Sequence, residues 1–264
     1  AAGVWEGGMA ARALLVALLL VQRVGAWEKG VSSSAPCASL LARNDTGFVA
    51  RGMTMWADDF GRTSDHPIII GVGQGTTATH TINHALMSLG LTTAHWFYIH
   101  RGPTEREPFT RKRVELEKGN LTVLLELDAI LDTPAPSLLW SVAKVFPNAR
   151  FILSLRDTVT WARRRMDTHG GATPGSSRRF YMQKSCSEAT RRERVLVLED
   201  LFALSNMLVQ CVVPRDRLWV VNVWEESEES IVRLVEDVTG LRMPPSYRSP
   251  SFAKAKRKAA RGEA

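Results

Sequence analysis

The sequence predicts a three-layer α/β/α fold, with helices covering both faces of a parallel central sheet. Three observations predict it. Short apolar runs recur at residues 67–70, 151–155 and 218–223, the length and character of strands buried on both faces. The first and third lead into segments whose apolar residues recur at helical spacing. The chain has 264 residues, 45% hydrophobic and 23% charged, enough to bury one large core and too apolar for a disordered or collagen-like chain.

The elements follow in order. Residues 27–66 are polar and turn-rich, with Ser32-Ser33-Ser34 and Asn44-Asp45, and read as a lead-in segment. Pro67-Ile68-Ile69-Ile70 reads as a buried strand. It opens into Gly71-Val72-Gly73-Gln74-Gly75-Thr76-Thr77-Ala78-Thr79. Ile82, Ala85, Leu86 and Leu89 then fall at i, i+3, i+4 and i+7, an amphipathic helix with Gly90 as its cap. A glycine-rich loop therefore joins a strand to a helix. Residues 102–120 are highly charged and read as surface, and residues 121–125 fit either a strand or a helix. Asp132-Thr133-Pro134 reads as a helix start with Asp132 as N-cap, followed by Leu138, Leu139, Val142 and Phe146 at helical spacing and stopped at Pro147-Asn148.

The second buried run, residues 151–155, leads into Arg156-Asp157. Residues 166–190 read as a long loop, with Gly170-Gly171 and Pro174-Gly175, and residues 191–210 as a helix. The third run precedes a helix over residues 225–239, with Ile231, Leu234, Val235 and Val238 on one face and Gly240 as cap. The globular domain is placed at residues 67–245, followed by a basic, disordered tail over residues 246–264.

The N-terminus has the pattern of a secretory signal. Met9-Ala10-Ala11-Arg12 is a short positive region, residues 13–21 are an apolar run of nine, and Val24-Gly25-Ala26 supplies small residues for cleavage. As a helix that run rises ~14 Å, short of the ~30 Å hydrocarbon core. Residues 1–26 therefore read as a signal peptide or an uncleaved signal anchor, the latter giving the chain's one link to a membrane. Two glycosylation triplets, Asn44-Asp45-Thr46 and Asn120-Leu121-Thr122, agree with a lumenal route. The expected location is the secretory pathway, in the Golgi lumen or secreted. Cys37, Cys186 and Cys211 allow one disulfide and one leftover thiol, and their spacing carries no metal signature.

The net charge of +7 is unevenly placed. The tail 254–264 carries +4 and residues 1–26 carry +1, leaving residues 27–253 at +2. The high isoelectric point therefore does not argue for a nucleic-acid-binding body. Within the body, residues 150–194 hold ten Arg and Lys184 against four acidic residues. That positive field lies where the second buried run ends. Ligands of such sheets sit at the carboxyl ends of the strands. There the glycine-rich loop points main-chain N–H groups into one cavity, a helix N-terminus adds its dipole, and Thr76, Thr77 and Thr79 add hydroxyl donors. A phosphate or sulfate group suits that loop. It is no Walker motif, because residues 67–90 contain no Lys. Arg163, Arg164 and Arg165 follow on a helical stretch, and three successive helical residues cannot share one side, so at least one faces water.

With both loops in view, the chain resembles the P-loop sulfotransferase family that uses 3′-phosphoadenosine 5′-phosphosulfate, and most of all its divergent sulfotransferase-like branch. In the family the first loop runs Pro-Arg/Lys-Thr/Ser-Gly-Thr-Thr before a helix ending Ala-Leu-x-x-Leu-Gly. Ala85-Leu86-Met87-Ser88-Leu89-Gly90 matches that ending. Phe146-Pro147-Asn148-Ala149-Arg150-Phe151-Ile152-Leu153 and Leu155-Arg156-Asp157-Thr158, with Trp161 following, match the family's second region. The resemblance implies a P-loop NTPase-like sulfotransferase fold over roughly residues 67–245.

It further implies that Gly73, Gln74, Gly75, Thr76, Thr77, Ala78, Thr79 and His80 hold the 5′-phosphosulfate, and that Arg156 holds the 3′-phosphate with Arg164 beside it. For the base that takes the acceptor proton, the candidates are Asp132, Asp128 and His95, in that order. No metal is implied. The chain departs from the family at named places. Thr76 stands at the loop's basic position, Ala78 at its glycine and His80 at its second Thr, while Arg164 stands where a Ser is usual. For the family's late Arg-Lys-Gly element there is a poor counterpart, Lys256-Arg257-Lys258. The resulting expectation is a sulfotransferase acting on a hydroxyl or amine of a glycan, small metabolite or protein. A catalytically impaired nucleotide- or anion-binding protein is the alternative, and a nucleotide or small-molecule kinase a more distant one.

Overall fold

The computed structural model describes residues 63–102, 104–169, 188–222 and 227–249. Apolar side chains too regular for a surface position build its centre. Ile68, Ile70 and Val72 point to one face of the sheet, and Ile69 points to the other. That alternation, apolar on both sides, defines strand β1 (Ile69–Gly71) as buried. The same holds for β5 (Ala129–Leu131) and β6 (Arg150–Leu155), which flank β1 in parallel. With β2 (Thr92–His95) and β7 (Leu218–Asn222) they form a parallel core.

The sheet extends beyond the parallel core. β3 (Tyr98–Arg101) and β4 (Arg106–Pro108) add an antiparallel edge, giving seven strands in the order β4-β3-β2-β5-β1-β6-β7. The sequence reading left part of this stretch as charged surface. These strands are short and polar because they close an exposed edge, so they lack the apolar run that marks the buried ones.

Helices cover both faces. On one, α1 (Thr79–Ser88) and α6 (Glu228–Thr239) pack with Ile82, Leu86, Ile231 and Val235 over Ile69, Leu131, Ile152 and Val221. On the other, a two-turn 3-10 segment (Leu121–Glu126), α3 (Leu139–Val145) and α5 (Glu188–Val212) cover Ile70, Ile130, Phe151 and Leu153. The short helix α2 (Thr110–Glu117) follows β4. The helix α4 (Thr158–His169) follows β6 and stacks on α5 through Trp161 and Phe202, whose rings lie 4.2 Å apart and nearly parallel.

Several boundaries differ from the sequence reading. Helix α4 runs through His169 and α5 begins at Glu188, so the expected loop shortens at both ends, and residues 170–187 lie outside the described residues. The stretch 121–125 is 3-10 helix. Asp132 is not an N-cap: its backbone turns at φ 63°, and helical structure starts as a 3-10 turn at Ala135–Leu138. The ordered domain also reaches past both expected ends. Ser64 N–H bonds Val145 O at 2.8 Å, and Tyr247 and Ser249 are buried. The signal segment, the lead-in up to residue 62, Asn44 and the tail from residue 250 lie outside the described residues.

Helix α5 holds a window, Arg191–Val212, that is long and apolar enough to cross a membrane, but half of it is buried, with Leu198, Phe202, Leu208 and Val212 packed inward. Cys211 is disulfide-bonded; Cys37 and Cys186, the other cysteines, lie outside the described residues.

Gly240 ends α6 at φ 74°, and a Cβ there would meet nothing within 4 Å. The cost of a side chain is therefore conformational alone. Gly240→Ala should lower unfolding free energy by about 1–2 kcal/mol, with Gly240→Asn losing less. Urea unfolding checks this, and an unchanged midpoint for Gly240→Ala contradicts it.

Candidate functional site

The glycine-rich loop leaves β1 at the carboxyl edge of the sheet and enters α1. Its path is set by close contacts. A Cβ on Gly73 would sit 2.2 Å from Ser154 Oγ and 2.8 Å from the Ser154 backbone, so only glycine allows the loop to lie against β6. Trp161 Nε1 donates to Gly75 O at 2.9 Å, and Arg156 Nη1 donates to Thr76 O at 3.3 Å. Thr77 Oγ1 lies 2.7 Å from Ser154 Oγ and also donates to Gln74 O.

Two residues of this loop hold left-handed backbone: Thr76 at φ 75° and Ala78 at φ 57°. For a β-branched residue that conformation is an outlier, and for alanine it costs on the order of 1–2 kcal/mol. Between Gly73 and His80 the turn at Gly75 and Thr76 engages the backbone, and the other N–H groups donate to no backbone carbonyl among the described residues. Gln74 Nε2 and Thr76 Oγ1 are likewise buried with no hydrogen-bond partner among the described residues. Uncommitted donors in a buried turn at a helix N-terminus are what an anion requires.

The structure sorts the residues expected here. Gly73, Gln74, Gly75, Thr76, Ala78 and Arg156 come together at the loop. Thr77 is fully buried, its hydroxyl engaged with Gln74 and Ser154, so it shapes the loop from behind. Thr79 Oγ1 turns toward the acidic side, 3.3 Å from His95 Nε2 and 3.5 Å from Asp132 Oδ2. His80 is exposed, its ring edge-on to His95 at 5.6 Å. Arg164 is exposed on α4, and its charge acts on Arg156.

Asp132 and His95 meet because β5 and β2 are neighbours, with His95 registered on Leu131. Asp132 Oδ2 lies 3.7 Å from His95 Nε2. Asp132 Oδ1 accepts from Thr133 N at 2.6 Å. Asp128 is elsewhere. It precedes β5, and its Oδ2 accepts from Thr92 N at 2.7 Å, at the amino edge of the sheet. Four residues of strand, ~13 Å, separate it from Asp132.

Burial dominates the electrostatics. It pushes the His95 imidazole down to about 4, opposed by the Asp132 carboxylate and assisted by His80 and His100. His95 is therefore neutral at pH 7. Burial, then the neighbouring charge of Arg164, lowers Arg156 from its ordinary value, with Asp157 opposing. Asp157 caps α4, accepting from Thr160 N at 2.8 Å; the Thr160 side-chain hydrogen bond first, and this backbone bond second, hold its pKa below the ordinary value. Among the described residues no group of three or more His, Cys, Asp or Glu is placed to hold a metal ion.

The sequence reading named two further residues without placing them in the site. Trp161, fully buried, ties α4 to the loop. Arg165 is the buried member of the three successive arginines, while Arg163 and Arg164 are exposed. The signal was present in the spacing, since Trp161 and Arg165 are four residues apart and share a helix face.

Searching curated proteins gives no match to this chain. A family model described as a sulfotransferase domain matches residues 68–237, from the strand before the loop through most of α6. That span is well over half the chain and contains the whole site, so the chain belongs to the sulfotransferase-domain family, in which a sulfonate group passes from a donor cosubstrate to an acceptor.

Proposed function

We propose that the protein is a sulfotransferase of the secretory pathway that takes the sulfuryl group from 3′-phosphoadenosine 5′-phosphosulfate and delivers it to a hydroxyl or amine of a glycan, small metabolite or protein. The observation that carries this reading is the contact between two strand tips. Arg156, at the end of β6, touches the loop that follows β1, through Thr76 O at 3.3 Å. One edge of the sheet therefore offers loop amides and a guanidinium together, a donor set for a ligand with two anionic groups.

In this reading, the amides from Gly73 to His80, with Gln74 Nε2 and Thr76 Oγ1, hold the 5′-phosphosulfate, and Arg156 with Arg164 holds the 3′-phosphate. The donor supplies an activated sulfur–oxygen bond. The acceptor oxygen or nitrogen bonds to sulfur, the bond from sulfur to the bridging phosphate oxygen breaks, and adenosine 3′,5′-bisphosphate leaves. The protein's part is alignment and charge stabilisation. Asp132 takes the acceptor proton. His95, kept neutral by burial, stands 3.7 Å from that carboxylate. Asp128 has no part in the step. The signal pattern, the bonded Cys211 and the exposed Asn120 of the second glycosylation triplet support the lumenal location.

The rival without catalysis rests on Thr76 in place of a basic residue. One experiment separates the two. Adenosine 3′,5′-bisphosphate should raise the melting temperature of the wild-type protein. Arg156→Ala should weaken that binding about 10–100-fold, the loss of a charge-assisted contact, and reduce sulfuryl transfer to a panel of glycan and phenolic acceptors. Binding without transfer to any acceptor selects the rival. No thermal shift at saturating nucleotide removes both.

The state of His95 sets a second expectation. Its pKa is about 4 folded against ~6.5 unfolded, so the unfolded chain takes up the proton first as pH falls. Stability is full above about pH 6.5 and declines from there toward pH 4. Denaturant unfolding across that window should show His95→Gln losing less stability than wild type. Parallel curves refute a buried neutral His95.

A further inference from the structure

The loop carries no cation. Residues 67–90 contain neither Lys nor Arg, yet in the proposed transfer the bridging phosphate oxygen gains negative charge as its bond to sulfur breaks. A guanidinium approaches from outside the loop. Arg165 lies on α4 one turn after Trp161, on the same face, and is only 9% exposed. A Cβ built on Gly75 would stand 3.0 Å from Arg165 Nη1 and 2.9 Å from Asp132 Oδ1. Gly75 thus lets a guanidinium and the carboxylate of Asp132 both close on the loop at one point. The Trp161 bond to Gly75 O fixes α4 at that distance.

We propose that Arg165 is a further catalytic residue: it supplies from α4 the positive charge that the loop itself lacks, contacting the sulfuryl group as it passes from the loop toward the acceptor beside Asp132. This rests on the sulfuryl-transfer reading. It assigns Arg163 and Arg164 no share in that step, because both point to solvent. It also gives a reason for glycine at position 75, since any side chain there displaces the guanidinium, the carboxylate or both.

The test measures transfer from 3′-phosphoadenosine 5′-phosphosulfate together with the affinity for adenosine 3′,5′-bisphosphate, which lacks the sulfuryl group. Arg165→Gln should bind the bisphosphate within about threefold of wild type while kcat falls about 100–1,000-fold, the usual loss on removing one transition-state donor. Added guanidinium ion should restore part of the rate to Arg165→Ala, a readout that a merely structural role does not move. If Arg165→Gln folds poorly, Arg165→Lys decides. Folded, nucleotide-binding protein with kcat lowered about tenfold supports the proposal, and loss of nucleotide binding in parallel with rate overturns it. Transfer by Arg165→Gln within threefold of wild type overturns this assignment alone. A wild-type protein that neither binds the bisphosphate nor transfers sulfate overturns it together with the reading beneath it.

Discussion

The hydrogen bond from the Trp161 indole to the Gly75 carbonyl is the constraint on which the site depends. A loop containing Gly71, Gly73 and Gly75 has high conformational entropy, and by itself it would not hold its amides in one direction. Three contacts remove that freedom. Ser154 presses against Gly73 from β6, Arg156 reaches Thr76 O, and Trp161 grips Gly75 O. The third matters most because Trp161 is itself immobile, fully buried and stacked on Phe202 of α5. Stacking is worth about 0.5–1.5 kcal/mol beyond burial, comparable to the strain at Thr76 or Ala78. The α4–α5 layer thus holds the loop in a conformation the loop would not choose, and the same helix brings Arg165 to it.

What the sequence made legible follows from burial. Ile68, Ile70, Phe151 and Leu153 are apolar because both faces of the sheet are covered, so the strands before the two loops stand out, and the loops with them. The edge strands carry Arg101, Arg106 and Glu107 because water meets them, and composition alone cannot separate such strands from a charged loop. Asp132 was misread as a cap for a related reason. Its Asp-Thr-Pro setting is that of a helix start, and only the tertiary packing of β5 against β2, which brings it beside His95, gives it another task. Consecutive arginines hide their roles, since spacing says that they diverge by about 100° each but not which one turns inward. The four-residue step from Trp161 was the cue, and it required knowing that Trp161 is core.

Electrostatics gives the anion reading independent support. Arg156 and Arg164 are held close enough that the charge of one lowers the pKa of the other. Folding brings these like charges together beside the glycine-rich turn and a helix N-terminus, whose potential has the same sign. That arrangement costs energy in isolation and is reversed by a ligand carrying negative charge at both places. A merely structural turn would have no use for it. The absence of a lysine in the loop changes where the charge comes from, not whether there is charge.

Thr79 marks where the two halves of the site meet. Its backbone opens α1 and so belongs to the anion turn, while its hydroxyl lies within hydrogen-bonding reach of His95 and Asp132. In-line transfer needs the attacking atom and the departing oxygen on opposite sides of sulfur. Under the proposed function, a donor group on the loop and Asp132 as the base at the tip of β5 would meet that requirement with Thr79 between them. The order β2-β5-β1-β6 supplies this geometry directly. β1 delivers the loop, β6 on one side delivers Arg156, and β5 and β2 on the other deliver Asp132 and His95, so the proposed donor and acceptor sides fall on adjacent strand tips.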